Sequence, residues 1–385
     1  MTAPGFHSTA SHGMRSRLRG RRLVFLVGEG GVGKTSCAAG LALALAAEGK
    51  RVAVLTIDPA PRLGDALGLP TIDAEWREVS HPASSAAGGR LMASRLDTKT
   101  VFDRLVTRFA PSPAVADRIL GSPVYAAVSG QLGGADSYMA FQQIHELLAK
   151  GDHDVLVVDT PPAQHADEIL GAPKRLARLI ETGATAVVAD PALAIARAGS
   201  RVAAFTVSVL LKALERVTGS RLRRDLADFA GSFEGVLSAL TRRAAEVTEM
   251  LRSDETLVVE VVRADAHSMV AARTLRRSLA AADLRVAFTI VNRTTPARSE
   301  QTHAPSDRIA PTPPSGTEDS ARKIRAAMHS IREQEARAIA ALRESLERER
   351  GGGHALMKVD AVERDIESPD MLLELGCRIL DGRMG

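Results

Sequence analysis

Cysteine and aromatic side chains are scarce in this sequence, and each scarcity removes a class of function. The 385 residues include two cysteines, Cys37 and Cys377. They lie far apart and neither belongs to a C-x-x-C pair, so a zinc clasp or redox dithiol of that pattern is absent, and a reducing cytoplasm is the expected setting. Aromatics amount to 3%, which leaves few platforms for stacking nucleic-acid bases. Long apolar runs are missing too. The greasiest stretch, VAAFTVSVLLKAL, follows Arg201 and is broken by Lys212, short of the roughly 18 uncharged apolar residues that a membrane-spanning helix needs. One-sided charge is confined to the start: residues 1–22 carry five arginines and no acid, whereas the rest carries 45 Lys and Arg against 46 Asp and Glu. A neutral body argues against a nucleic-acid surface.

The remaining composition, 45% hydrophobic, is ample for a buried core. Residues 1–21 read as a basic disordered tail. RLVFLVG is a continuous apolar run closed by glycine, the pattern of a strand buried on both faces. KTSCAAGLALALAAEGK follows as a helix ending at Gly49, and RVAVLTID as a second buried strand. FQQIHELLAKG is an amphipathic helix leading into the strand HDVLVVD, and TLVVEVV and RVAFTIVN predict two more. Strands alternating with helices predict an α/β class, a doubly wound, mostly parallel sheet, with core segments over 22–191 and 254–293. Residues 192–253 lack a strand pattern and read as a helical insertion. The proline-rich segment 294–317 reads as a flexible linker. Residues 318–385 read as an amphipathic helix with apolar positions at Ile324, Met328, Ile331, Ile339, Leu342 and Leu346, then a last strand and helix.

Gly28 to Thr35 fits G-x-x-x-x-G-K-[ST] and lies between strand and helix, as a phosphate loop requires. Gly28, Glu29, Gly30, Gly31, Val32 and Gly33 supply a backbone whose N–H groups can wrap a phosphate chain, with a helix N-terminus behind it. Lys34 is placed to reach the β and γ phosphates of ATP, Thr35 to ligate Mg²⁺, and Ser36 to add a phosphate contact. Asp159 closes an apolar strand, where such folds hold the carboxylate of the magnesium shell. Asp58 ends the second strand in TIDPA. It can orient an attacking water, or it can simply start an Asp-Pro turn.

Several segments together resemble one family, the ArsA-type ATPases, which include the arsenite-pump ATPase and tail-anchored-protein targeting factors. GEGGVGKTS resembles the family's GKGGVGKTT loop, TIDPAPRLGDALG its first switch, DPAxxLxDAL, and VVDTPPAQHADEIL its second switch, DTxPxxHxxxxL. The likeness spans about residues 22 to 293 and is nearest the single-loop bacterial branch, with GADSYMAF ahead of the second switch. It implies that Asp58 places the hydrolytic water, that Asp65 sits in switch one, and that Asp159 and His165 sit in switch two. Asn292 matches the asparagine that reads the adenine edge. It further implies a dimer that sandwiches two ATP molecules and relays switch movement to a helical client region, matched here by 192–253. The targeting factors' zinc C-x-x-C and methionine-rich groove have no counterpart here, nor is there a cysteine triad for arsenite.

Glu29 is the sharpest departure, since the family has a signature lysine there that reaches the partner subunit's nucleotide. A carboxylate about 4 Å from a phosphate charge costs roughly 4 kcal/mol at an effective dielectric near 20. Three readings stay open. A lysine-bearing paralogue supplies the cation in trans; Glu29 turns away or pairs with a cation such as Arg62; or the chain binds ATP as a static switch. His145, His267 and Ser129 match no metal or nucleophile pattern, and the arginine-rich helices read as solvated faces. The expectation is thus a cytoplasmic, magnesium-dependent ATPase, slow or partner-activated, working as a homodimer or a heterodimer. Its client, a protein or a membrane-associated partner, is not encoded legibly. The contrasting readings are a regulatory ATP-binding subunit and a positioning ATPase of the ParA or MinD kind.

Overall fold

The computed structural model describes residues 13–122, 125, 135–162, 222–296, 317–349, 354–362, 366 and 368–382. Eight strands form one sheet: β1 (Leu23–Gly28), β2 (Arg51–Thr56), β3 (Arg77–Val79), β4 (Arg90–Arg95), β5 (Val155–Asp159), β6 (Thr256–Val262), β7 (Val286–Thr294) and β8 (Ala355–Asp360), in the order β3-β4-β2-β5-β1-β6-β7-β8. Every pairing is parallel except β3 with β4. The expected doubly wound, mostly parallel sheet is what the chain forms. The apolar runs explain the centre, since β1, β5 and β6 are buried along their whole lengths and only strands covered on both faces tolerate that. Short β3 and β4 went unread because REV and RLMASR carry too many polar residues to stand out as apolar runs. β4 is placed by its pairing with β2 from Arg51↔Arg90 to Thr56↔Arg95.

Alternate residues of each strand enter two cores. One face takes Leu23, Phe25 and Val27 of β1 and packs on helices α5 (Thr98–Phe109), α6 (Pro113–Leu120), α7 (Ala135–Lys150), α8 (Leu222–Arg252) and the end of α9 (Ala266–Ala281). The other takes Val24 and Leu26 and packs on α1 (Met14–Arg17), α2 (Lys34–Ala47), α3 (Arg62–Leu67) and the last helix, α11 (Pro369–Asp381). The short helix α4 (Pro82–Ala86) and the long α10 (Thr317–Arg348) complete the described helices. α10 buries Leu342 and Leu346 against β6, β7 and α9, whereas Ile324, Met328 and Ile331 on its first half are exposed. Of the segment expected to be a helical insertion, residues 192–221 lie outside the described residues, as do 297–316 of the expected linker, whose first residue, Thr294, instead ends β7. No helix among the described residues is long and apolar enough to cross a membrane.

The expected tail over 1–21 needs correction in its second half. Met14 is fully buried and Leu18 is 6% exposed. These two apolar residues, one turn apart, seat α1 beside α11, and Arg15 donates to Asp381 at 2.8 Å and also meets Glu48. A reading guided by arginine content and the lack of a long stripe passes over an anchor this short. Residues 1–12 lie outside the described residues.

The helix that carries the phosphate loop is apolar all round and must be covered on every side. Its outer cover is α11, and the two cross backbone to backbone: a Cβ on Gly376 would lie 1.9 Å from the Gly40 carbonyl oxygen, and one on Gly40 would lie 2.8 Å from the Leu372 carbonyl. Backbone cannot yield as a side chain tip can. Gly376→Ala is therefore expected to force the helices apart and to lower stability by about 1–3 kcal/mol, read as a drop in the urea midpoint. An unchanged midpoint would show that the crossing is looser than described.

Candidate functional site

The loop from Gly28 to Gly33 joins the end of β1 to α2 through conformations that only glycine takes readily. Gly33 has φ 93° as the N-cap of α2, and a Cβ there would sit 2.3 Å from Asn292 Nδ2; a Cβ on Gly28 would sit 2.3 Å from the Val261 carbonyl oxygen. The glycines thus let the loop approach the ends of β6 and β7 closely. No side chain caps the N-terminus of α2, so its first-turn amides keep their capacity for an anion. Asn292, at the end of β7 and 6% exposed, donates Nδ2 to the Val32 carbonyl at 2.8 Å and ties the loop to the sheet.

Lys34 begins α2 and turns back over the loop, its Nζ donating to the carbonyls of Gly28 at 2.9 Å and Glu29 at 2.8 Å. Asp159 is fully buried at the end of β5. Its Oδ2 accepts from Thr35 Oγ1 at 2.8 Å and from Thr56 Oγ1 at 3.0 Å, while Oδ1 has no hydrogen-bond partner. The β2–β5 register sets Thr56 opposite Asp159, and Thr160 Oγ1 donates to the Leu26 carbonyl at 2.7 Å. Thr56 and Thr160 were missed in the sequence. Their signal is a threonine within two residues of each strand-end aspartate, in TID and DTP.

Burial disfavours charge on both central groups. It pushes the Asp159 carboxyl up to about 6, against the opposing hydrogen bonds from Thr35 and Thr56 and the charge of Lys34. It also lowers the Lys34 ammonium, which Asp159 and Asp58 partly counter. A desolvated carboxylate with one oxygen orphaned, beside a threonine hydroxyl and above a lysine, fits a divalent cation and an anionic ligand. Cys37, one turn into α2, is pushed up to about 12 by burial and is chemically inert there.

Asp58 lies just past β2. Its Oδ1 accepts from the Ala60 amide at 3.0 Å and its Oδ2 from Arg62 at 3.2 Å. Arg62, considered as a cation for Glu29, is therefore spent on Asp58. Glu29 meets His267 instead, its Oε1 2.7 Å from Nε2. Asp65 lies in the first turn of α3. The structure gathers Lys34, Thr35, Asp159 and Asn292 around the loop, with Asp58 on the same edge of the sheet; His165 and Ser129 lie outside the described residues.

A parallel sheet with a glycine loop opening a helix, and a carboxylate ending the neighbouring strand, defines a P-loop NTPase fold. The chain belongs to the ArsA ATPase family, whose model, described as an anion-transporting ATPase, matches residues 21–309. Curated proteins similar to it include an uncharacterized protein of Streptomyces coelicolor, 34% identical over 163 residues, covering 41% of this chain and 39% of that protein. ATPase GET3A of Arabidopsis thaliana is 29% identical over 153 residues, covering 40% and 38%, and the arsenical pump-driving ATPase of Escherichia coli is 29% identical over 170 residues, covering 41% and 27%. The chain thus spans about two fifths or less of the length of each of these three relatives.

The shifted Asp159 yields a pH prediction. Its carboxyl titrates at 3.8 in its ordinary state and about 6 when folded. The folded chain therefore holds the extra proton between those values, and stability is lost as pH rises through about 6. Asp159→Asn keeps an acceptor for both threonines and carries no charge. It is expected to be more stable than the wild type by roughly 1–3 kcal/mol above pH 7, with the gain vanishing near pH 4. Urea unfolding at both pH values checks this, and equal stability at pH 8 would refute it.

Proposed function

We propose that this chain is a magnesium-dependent ATPase in which the Gly28–Ser36 loop holds the triphosphate. The single observation that carries this reading is the Asp159 cluster: a fully buried carboxylate with a free oxygen, hydrogen-bonded to the Thr35 hydroxyl beside the loop lysine. Leaving such a group empty is costly, and a cation removes the cost. Thr35 and Asp159 are the residues that would hold Mg²⁺, which when bound offsets phosphate charge. Lys34 would exchange the Gly28 and Glu29 carbonyls for phosphate oxygens, and the amides of Gly30 to Ser36 would take the rest. Asn292 would face the base, as in the family pattern.

Asp58 is assigned the placing of the attacking water, by orientation more than by basicity. The Arg62 contact competes for the same carboxylate, so water placement requires that contact to loosen. With Glu29 in place of a lysine, turnover of the isolated chain is expected to be slow. In this reading, nucleotide-driven closure of a dimer, with itself or with a lysine-bearing paralogue, moves the helical region toward a protein or membrane-associated client in the cytoplasm. The family's description as anion-transporting ATPases, and the names of two of the three relatives as ATPases, support the activity. A second reading, a regulatory subunit that binds ATP without turning it over, is favoured by the Arg62 clamp on Asp58.

Titration calorimetry with Mg·ATP, with phosphate release measured on the same samples, separates these readings. Wild type is expected to bind and to release phosphate slowly; Lys34→Ala is expected to lose binding by about 100-fold or more. Glu29→Lys is expected to raise turnover. Binding with no turnover in wild type, in Glu29→Lys and on mixing with a lysine-bearing paralogue would favour the regulatory subunit. Absence of heat with Mg·ATP would remove both.

A further inference from the structure

Glu29 needs an account, since an anion in a phosphate loop opposes the ligand that the loop is built to hold. Its side chain is 15% exposed and its carboxylate is not left bare: Oε1 lies 2.7 Å from Nε2 of His267. His267 belongs to the first turn of α9, after Asp265, whose side chain caps that helix through the Ser268 amide at 2.9 Å. The capping bond fixes the start of α9, and the start of α9 fixes where the imidazole stands. β6, which precedes α9, runs beside β1, with Val261 opposite Gly28. The loop position that needs a counter-group and the helix turn that provides one are therefore held in fixed relation by adjacent parallel strands. The imidazole itself is 87% exposed, so its position is not explained by burial.

We propose that His267 is a positioning residue for the nucleotide site: it draws the Glu29 carboxylate toward α9 and out of the phosphate cradle. The ring can do so in either protonation state, as an ion pair when charged and as an N–H donor through Nε2 when neutral. Without it, Glu29 is free to turn over the loop, where it competes with phosphate for Lys34 and the amides. Lys34 is already engaged by the Glu29 backbone carbonyl at 2.8 Å, so the side chain of the same residue has a short path to it. Glu29 and His267 thus form a matched pair: a loop that carries the glutamate works because the helix carries the histidine.

This inference rests on the loop binding Mg·ATP, and the test separates the two. Mg·ATP dissociation constants are measured by calorimetry on the full chain for wild type, His267→Gln, His267→Lys, Glu29→Gln and Glu29→Gln with His267→Gln. Removing the histidine alone is expected to weaken binding about fivefold, the scale of a partly exposed ion pair. In the Glu29→Gln background the same change is expected to do nothing, and His267→Lys is expected to restore wild-type affinity by supplying another cation. A merely structural histidine would weaken binding equally in both backgrounds and would not be rescued by lysine. Additive effects, or an unchanged constant in His267→Gln, would overturn the pairing while leaving nucleotide binding intact. No binding by wild type would remove the pairing and the proposed activity together.

Discussion

The buried carboxylate of Asp159 is the constraint around which the site is arranged. It joins three pieces of the chain: β5, which carries it; β2, through Thr56; and the loop helix, through Thr35. Each hydroxyl donates to the same oxygen, so the other is left buried without a partner. An ionised group in that position is tolerated because the sheet's interior strands and the apolar α2 fix its surroundings, not because the group itself stabilises the fold. Stability is spent at this point, and the rest of the core offsets it.

The same logic extends outward along the loop. Lys34 is held by carbonyls of the loop it serves, Asn292 pins Val32 from β7, and the glycines remove the Cβ atoms that would collide with Asn292 and Val261. The loop is thus fastened on both sides before any ligand arrives, which reduces what must be ordered on binding. Two acidic residues at the rim, Glu29 and Asp58, each have a basic neighbour, His267 and Arg62 respectively. Electrostatic repulsion toward an anion at the loop is thereby muted by local pairs, with the body of the protein close to neutral.

Much of this was legible in the sequence, and the parts that were not share a physical cause. The apolar runs ending in Gly28 and Asp159 gave the central strands, and the loop spacing gave Lys34 and Thr35, because backbone burial and phosphate geometry leave few residue choices. β3 and β4 were missed because edge-side strands need no continuous apolar run. Met14 and Leu18 were missed because two residues suffice to dock one turn of helix. His267 was set aside because it fits no metal pattern, and nothing local in the sequence ties it to Glu29; only the β1–β6 pairing brings them together. Thr56 was missed as well, although it sits two residues before Asp58, because its role shows only once β2 is paired with β5.

The contact between α2 and α11 bears on how the protein comes into being. The helix that opens with the phosphate loop is made early in synthesis, yet the surface that shields its outer side is contributed by Gly376 and its neighbours, much further along the chain. Until that helix has been made and has left the exit tunnel, the alanine- and leucine-rich outer side of α2 faces water. The loop can therefore take its finished surroundings only after α11 has docked, which makes nascent chains that still lack α11 natural clients for holding chaperones.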